Sequence, residues 1–383
     1  MSKYVLIPDS FKGTMSSSDI CGIMRAQIAA HDPGATIVSI PVADGGEGSV
    51  DCFLEAMGGD RVELDVCGPF EGETMRSFYG LVDNGKTAVI EMAACAGLPL
   101  VEGRADPMRA TTCGVGEMMV DAAKRGVTKI IVGLGGSATN DGGCGAASAA
   151  GIRFYDANGR SFVPTGGTLA DIDRIDSAEK SPCLEGVEII AMCDIDNPMY
   201  GDTGAAAIFG PQKGADPSMV AELDQGLRHL DRKIRQDLKR DVSQIPGAGA
   251  AGAMGAGMPA FFGASLRMGI ETVLDVVGFE NIVKDASLVL TGEGKIDTQS
   301  LRGKVVIGVS RRAKMFGVPV IAIVGDIGDN IQGAYEEGVS GIVSINRVAV
   351  DFKVARNRSR DDMALTVDNL IRMFITFSGE AAK

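Results

Sequence analysis

Residues 133–143 of this 383-residue chain read GLGGSATNDGG, five glycines in eleven positions. The apolar run KIIVG at 129–133 leads into them and the helix-forming AASAA at 146–150 follows. Strand, glycine-rich loop and helix in that order aim unpaired backbone N–H groups and a positive helix end at an anion. Gly135, Gly136, Ser137, Thr139 and Asn140 are therefore candidate phosphate contacts, and Asp141 a candidate cation ligand. A tight turn with an Asn/Asp helix cap uses the same residue types. This loop alone does not choose between the two.

Four other loops share its character, at 9–14, 44–48, 194–204 and 291–297. In TGEGKID at 291–297, Thr291, Gly292 and Gly294 would admit a cofactor phosphate, Lys295 supplies a point charge, and Glu293 or Asp297 suits Mg2+. This is no Walker A loop, since GxxxxGK[ST] occurs nowhere in the chain. Lys12 and Ser10 follow the first strand, and Asp44 and Glu47 follow the second, where they suit substrate hydroxyls. Asp194 and Asp196 end a buried strand just before Asn197 and Pro198. Asp194, nearer the strand, is the expected general base, and Asp196 the expected metal ligand. Lys213, in QKG at 212–214, is a further cation. Solvated lysines, an Asx turn before proline and a charged helix cap are the plain structural alternatives. Taken together, the set meets the needs of phosphoryl transfer: donors and cations around phosphates, Mg2+, and a base for the attacking hydroxyl.

The elements that must position these loops are legible in outline. Apolar runs at 4–8, 36–42, 287–290, 319–324 and 341–345, each followed by a helical pattern, form five parallel strands of a flavodoxin-like, doubly wound sheet. Between them the pattern changes to alternating runs at 61–66, 75–82 and 87–92, with a hairpin turn DNG at 83–85. The expected architecture is α/β, with a discontinuous domain at 1–60 and 265–383 and an inserted α/β domain at 61–264. If both turn their loops toward one another, the loops line an interdomain cleft. The formal GxGxxG at 247–252 follows Pro246 rather than a strand, and is discounted as a nucleotide fingerprint.

A net charge of −13 argues against nucleic acid as a partner. Eight scattered cysteines without a CxxC pair fit buried thiols in a reduced, cytoplasmic chain better than a disulfide framework or a zinc site. No apolar run reaches the ~20 residues of a membrane span. Self-association as a homo-oligomer is left open.

Six motifs occur in order: PDSFKG (8–13), ADGGEG (43–48), GGSATNDGG (135–143), CDIDNP (193–198), FGPQKG (209–214) and TGEGKID (291–297). On these the chain closely resembles the class I bacterial glycerate kinase family (glycerate 2-kinase) over nearly its whole length. The resemblance implies phosphorylation of D-glycerate by ATP with Mg2+, typically giving 2-phosphoglycerate. It also implies a flavodoxin-like domain carrying an inserted domain that looks restriction-endonuclease-like. The rival readings are a nicotinamide-dependent hydroxy-acid dehydrogenase and a non-catalytic binder of a phosphorylated metabolite.

Overall fold

The computed structural model describes residues 2–43 and 45–378, so the expectation for Asp44 falls outside the described residues. The chain divides into a smaller unit, Met1–Ala43 with Ile270–Lys383, and a larger one, Asp44–Gly269. The first division comes earlier than the expected boundary at 60. Helix Ser49–Met57 explains the shift, since it packs on strands Thr74–Val82 and Thr87–Glu91 of the larger unit. There Val50 and Leu54 close over Gly80.

In the smaller unit five parallel strands lie in the order Gly341–Ser344, Val320–Ile327, Leu288–Ile296, Lys3–Pro8, Thr36–Ser39. Counted along the chain this is the 2-1-3-4-5 order of flavodoxin-like sheets. Leu6 stands opposite Leu290 on one side and Ser39 on the other. Helix Ser17–His31 starts at a capping box between Ser16 and Asp19, then buries Ile20, Met24 and Ile28 at four-residue spacing. Those residues share a core with Tyr4, Leu6 and with Met363, Val367 and Ile371 of helix Phe352–Ser378.

The larger unit carries a six-stranded mixed sheet in the order Ser265–Arg267, Glu188–Met192, Lys129–Gly133, Thr87–Glu91, Thr74–Val82, Asp60–Cys67. Its first four strands run parallel and its last two antiparallel. Asp83, Asn84 and Gly85 take the left-handed conformation, φ 51°, 54° and 78°, within the four-residue turn that joins the paired Val82 and Thr87. Helix Cys113–Lys124 covers the sheet through Val115, Met118 and Met119, which join Ile90, Ile130 and Val132 in the core. Among the described residues no helix is long and apolar enough to cross a membrane.

Candidate functional site

In the larger unit, strands Lys129–Gly133 and Glu188–Met192 run side by side and parallel, and their carboxyl ends open into a cavity of about 210 Å³. Gly135, Gly136, Ser137, Asp194, Gln212 and Lys213 contribute to its lining. Backbone proximity dictates glycine at the loop's start. Gly135 N–H donates to Gly45 O at 2.9 Å, and a Cβ on Gly135 would come 2.6 Å from Gly46 Cα.

Asp141, expected as a cation ligand, instead turns both oxygens onto the loop's own donors and organises it. Its Oδ2 accepts from Thr112 N–H, the Thr112 hydroxyl and Gly145 N–H, at 2.8, 2.8 and 3.1 Å. Its Oδ1 accepts from Gly143 N–H at 3.0 Å. Burial pushes this carboxyl's pKa up while those donors pull it down.

Lys213 ends the short turn Pro211–Lys213 and is 2% exposed. Its Nζ donates to Ser137 Oγ at 2.8 Å and to Thr139 O at 2.6 Å. Burial lowers the amine's pKa to about 7, against the opposing pull of the Asp141 charge. Beside it, Thr139 Oγ1 and both polar atoms of Asn140 are buried without a hydrogen-bond partner among the described residues. Orphaned buried groups of this kind cost about 1–3 kcal/mol each. A ligand's oxygens would satisfy the Thr139 hydroxyl and the Asn140 amide N–H, though not Asn140 Oδ1, and both residues lie just behind the cavity lining rather than in it.

The GxGxxG segment backs this loop. Ala251, Gly252 and Ala253 are consecutive left-handed residues, φ 54°, 64° and 67°. A Cβ on Gly252 would lie 2.0 Å from Thr139 O and 2.5 Å from Asn140 Cα. Chain passes against chain there, so the glycines serve packing, and no strand feeds them. Gly252→Ala is expected to destabilise the fold by about 2–4 kcal/mol and to displace Asn140, measured by urea unfolding.

The two strand-end aspartates part company. Asp194 lines the cavity, its Oδ1 accepting from Gly269 N–H at 2.7 Å. Asp196 is exposed and outside the lining, as is Glu47. Sequence reasoning passed over Glu91, whose pKa burial raises to about 7 while the Gly48 and Ser49 N–H groups oppose it. Glu91 Oε2 accepts from Ser49 N–H at 3.3 Å, which ties the end of strand Thr87–Glu91 to the loop that shields Gly135. Its one sequence signal is a carboxylate closing an otherwise uncharged strand.

In the smaller unit a cavity of about 350 Å³ opens at the carboxyl ends of its parallel strands. Ser10, Lys12, Glu293, Gly294 and Lys295 all line it. Asn346 and Arg356 join them, brought by the chain's last strand and helix without a sequence motif to announce them. Glu293 is 6% exposed, and its Oε1 has no hydrogen-bond partner among the described residues. Burial raises its pKa to about 7; Asp9 and Asp297 push it up further while Ser300 and Lys304 pull it down.

Thr291 and Gly292 do not line this cavity. The Thr291 hydroxyl donates to Ile7 O at 2.8 Å inside the sheet. Gly292 is there because a Cβ would lie 2.0 Å from Ile323 O. Asp297 is also outside the lining and caps its own turn, accepting from Gln299 N–H at 2.8 Å. Of the residues expected to hold magnesium, Glu293 and Asp297 belong to the smaller unit and Asp196 to the larger, and within either unit no three carboxylates among the described residues bring ligand oxygens together.

Glycine-built loops at parallel strand ends, a buried amine and a second cation-lined cavity define an α/β protein equipped for a small anionic ligand. The glycerate kinase family model matches residues 4–375. A glycerate kinase of Bacillus cereus is 42% identical, with 96% of this chain and 97% of that one covered. Escherichia coli glycerate 2-kinase is 44% identical, with 90% of each covered. A solved glycerate kinase 2 structure from Salmonella typhimurium LT2 superposes with TM-score 0.87 at 38% identity, covering 99% of both chains. The chain belongs to the glycerate kinase family. It is an enzyme, a transferase that phosphorylates glycerate.

Proposed function

We propose that the chain transfers the γ-phosphoryl group of ATP to the 2-hydroxyl of D-glycerate, giving 2-phosphoglycerate. The observation that carries this reading is Lys213: a buried amine without a carboxylate ion pair among the described residues, beside the orphaned Thr139 and Asn140. A buried amine whose acceptors are two neutral oxygens is matched by an anionic ligand. Lys213, Thr139, Asn140 and the glycine loop receive the transferring phosphates and stabilise the charge that moves between them. Mg2+, when bound, neutralises phosphate charge; it typically takes one or two protein carboxylates and completes its shell with phosphate oxygens and water. Asp194 is the carboxylate among the residues lining that cavity.

The acid belongs with the other cations. Lys12, Lys295 and Arg356 offer charge to its carboxylate in the smaller unit's cavity, where Glu293 Oε1 has no hydrogen-bond partner among the described residues. Roles expected from sequence thus exchange: Glu293 is the general base and Asp194 the metal ligand. Asp194→Asn is expected to raise the half-saturating Mg2+ concentration by about tenfold and to leave the pH profile intact. Loss of the acid limb in that variant would return the base to Asp194.

The decisive experiment is NMR of the product formed from D-glycerate and ATP. Phosphorus coupled to the C2 proton is expected; coupling to the C3 protons overturns the regiochemistry, and absence of ADP overturns ATP as donor.

A further inference from the structure

Away from both cavities, Cys67, Cys113 and Glu117 bring two sulfurs and a carboxylate oxygen within 4.8 Å of one another. We propose that this cluster binds a borderline-soft divalent cation, with Zn2+ as the type, through two thiolates and one carboxylate, leaving a coordination position open to solvent.

Local structure assembles the donors. Cys67 closes strand Asp60–Cys67, Cys113 opens helix Cys113–Lys124, and Glu117 stands one turn further along the same face. Strand end and helix start meet closely because residue 114 is glycine; a Cβ there would lie 2.3 Å from Cys67 O. Cys113 Sγ is 3.1 Å from Cys67 Sγ, and Cys67 Sγ is 3.3 Å from Glu117 Oε1. The second carboxylate oxygen is fixed by Cys67 N–H at 2.6 Å. All three residues are half-buried, within reach of an ion from solvent.

Distances separate a cation site from a latent disulfide. Zinc–sulfur bonds of ~2.3 Å and zinc–oxygen bonds of ~2.1 Å in tetrahedral array put sulfurs ~3.8 Å apart and sulfur ~3.6 Å from oxygen. The sulfurs must open by ~0.7 Å for zinc but close by ~1.1 Å for a disulfide at ~2.05 Å. The carboxylate is already near its ligand distance, and a disulfide would give it no part. Among the described residues no lysine, arginine or histidine forms an ion pair with Glu117, so the cluster has acceptors and no cation. Cysteine spacing hides the site, since 46 residues separate the two thiols.

Ligation as thiolates means that an arriving M2+ displaces one proton from each thiol, and two thiolates with one carboxylate leave a complex with one net negative charge. The adjoining residue, Thr112, is the one that fixes Asp141 beneath the glycine loop. The ion would therefore clamp the footing of that loop.

The test is calorimetric titration of chelator-treated, reduced full-length protein with Zn2+ alone, with Co2+ absorption as a second probe. One equivalent, release of about two protons and a thiolate-to-cobalt charge-transfer band are expected. Cys113→Ser and Glu117→Gln should each weaken binding at least about tenfold, and Cys52→Ser should not. Should Cys113→Ser lose its circular dichroism signal, Glu117→Gln alone decides. Binding unchanged in Glu117→Gln, no binding at all, or a peroxide-formed Cys67–Cys113 disulfide in a protein that takes no zinc would overturn the proposal.

Discussion

Lys213→Met will lose at least about a thousandfold in kcat and yet unfold at higher urea than the parent at pH 7. Both effects have one cause. The amine is ordinarily protonated up to 10.5, and burial in the fold lowers that to about 7. Between these values the unfolded chain holds a proton that the folded chain has released, so parental stability rises as pH climbs from about 7 toward 10.5. At and below pH 7 the full penalty applies, at most ~5 kcal/mol. Losing the bonds to Ser137 Oγ and Thr139 O returns about 2 kcal/mol of that. Methionine should therefore gain ~2–3 kcal/mol near neutrality and show no gain by pH 10. A variant less stable than its parent at pH 7 would mean that the buried amine is already compensated, and the anion-site argument would fail.

Glu293→Gln will reduce kcat by about 10²–10⁴-fold and erase the acid limb of the parental kcat/KM profile. That limb should lie near pH 7, where the buried carboxyl ionises. Here the linkage runs opposite to that of Lys213. The folded chain keeps a proton that the unfolded chain gives up near 4.5, so the parent loses stability as pH rises from about 4.5 to about 7. Glutamine cannot ionise, and the variant should match the parent at pH 4 and exceed it at pH 8 by up to ~3 kcal/mol. An acid limb that survives in Glu293→Gln would show that another group takes the hydroxyl proton. The two variants together predict a stability minimum for the unliganded protein near neutral pH.

Sequence exposes what is local and hides what is assembled. Runs of β-branched residues announced the strands and DNG at 83–85 its turn, because each depends on neighbours a few residues away. Lys12, Lys295 and Gly135 could be placed at cavity linings because a loop after a parallel strand opens at one end of the sheet. Thr291 misled because a hydroxyl in an apolar run looks chemical, whereas the pleat turns it onto Ile7 O. Asp141 misled for a related reason: four donors from two segments consume its oxygens, and Thr112 lies 29 residues away. Glu91, Asn346 and Arg356 reach their places only through the packing of whole elements, which no short window contains. The burial that lowers the pKa of Lys213 is likewise a property of the finished fold.

The smaller sheet has a history as well as a shape. Strand Lys3–Pro8 is interior to it, flanked by Thr36–Ser39 and by Leu288–Ile296. A ribosome adding ~5–20 residues per second reaches the second neighbour only ~15–60 s after making the first strand. Throughout that interval Tyr4, Leu6 and Ile7, all 0% exposed at the end, have one edge unpaired. The intervening 226 residues of the larger unit are meanwhile complete and can collapse on their own contacts. Nascent chains arrested before residue 288 should thus bind holdase chaperones through their amino-terminal segment, and release it once 288–296 has emerged.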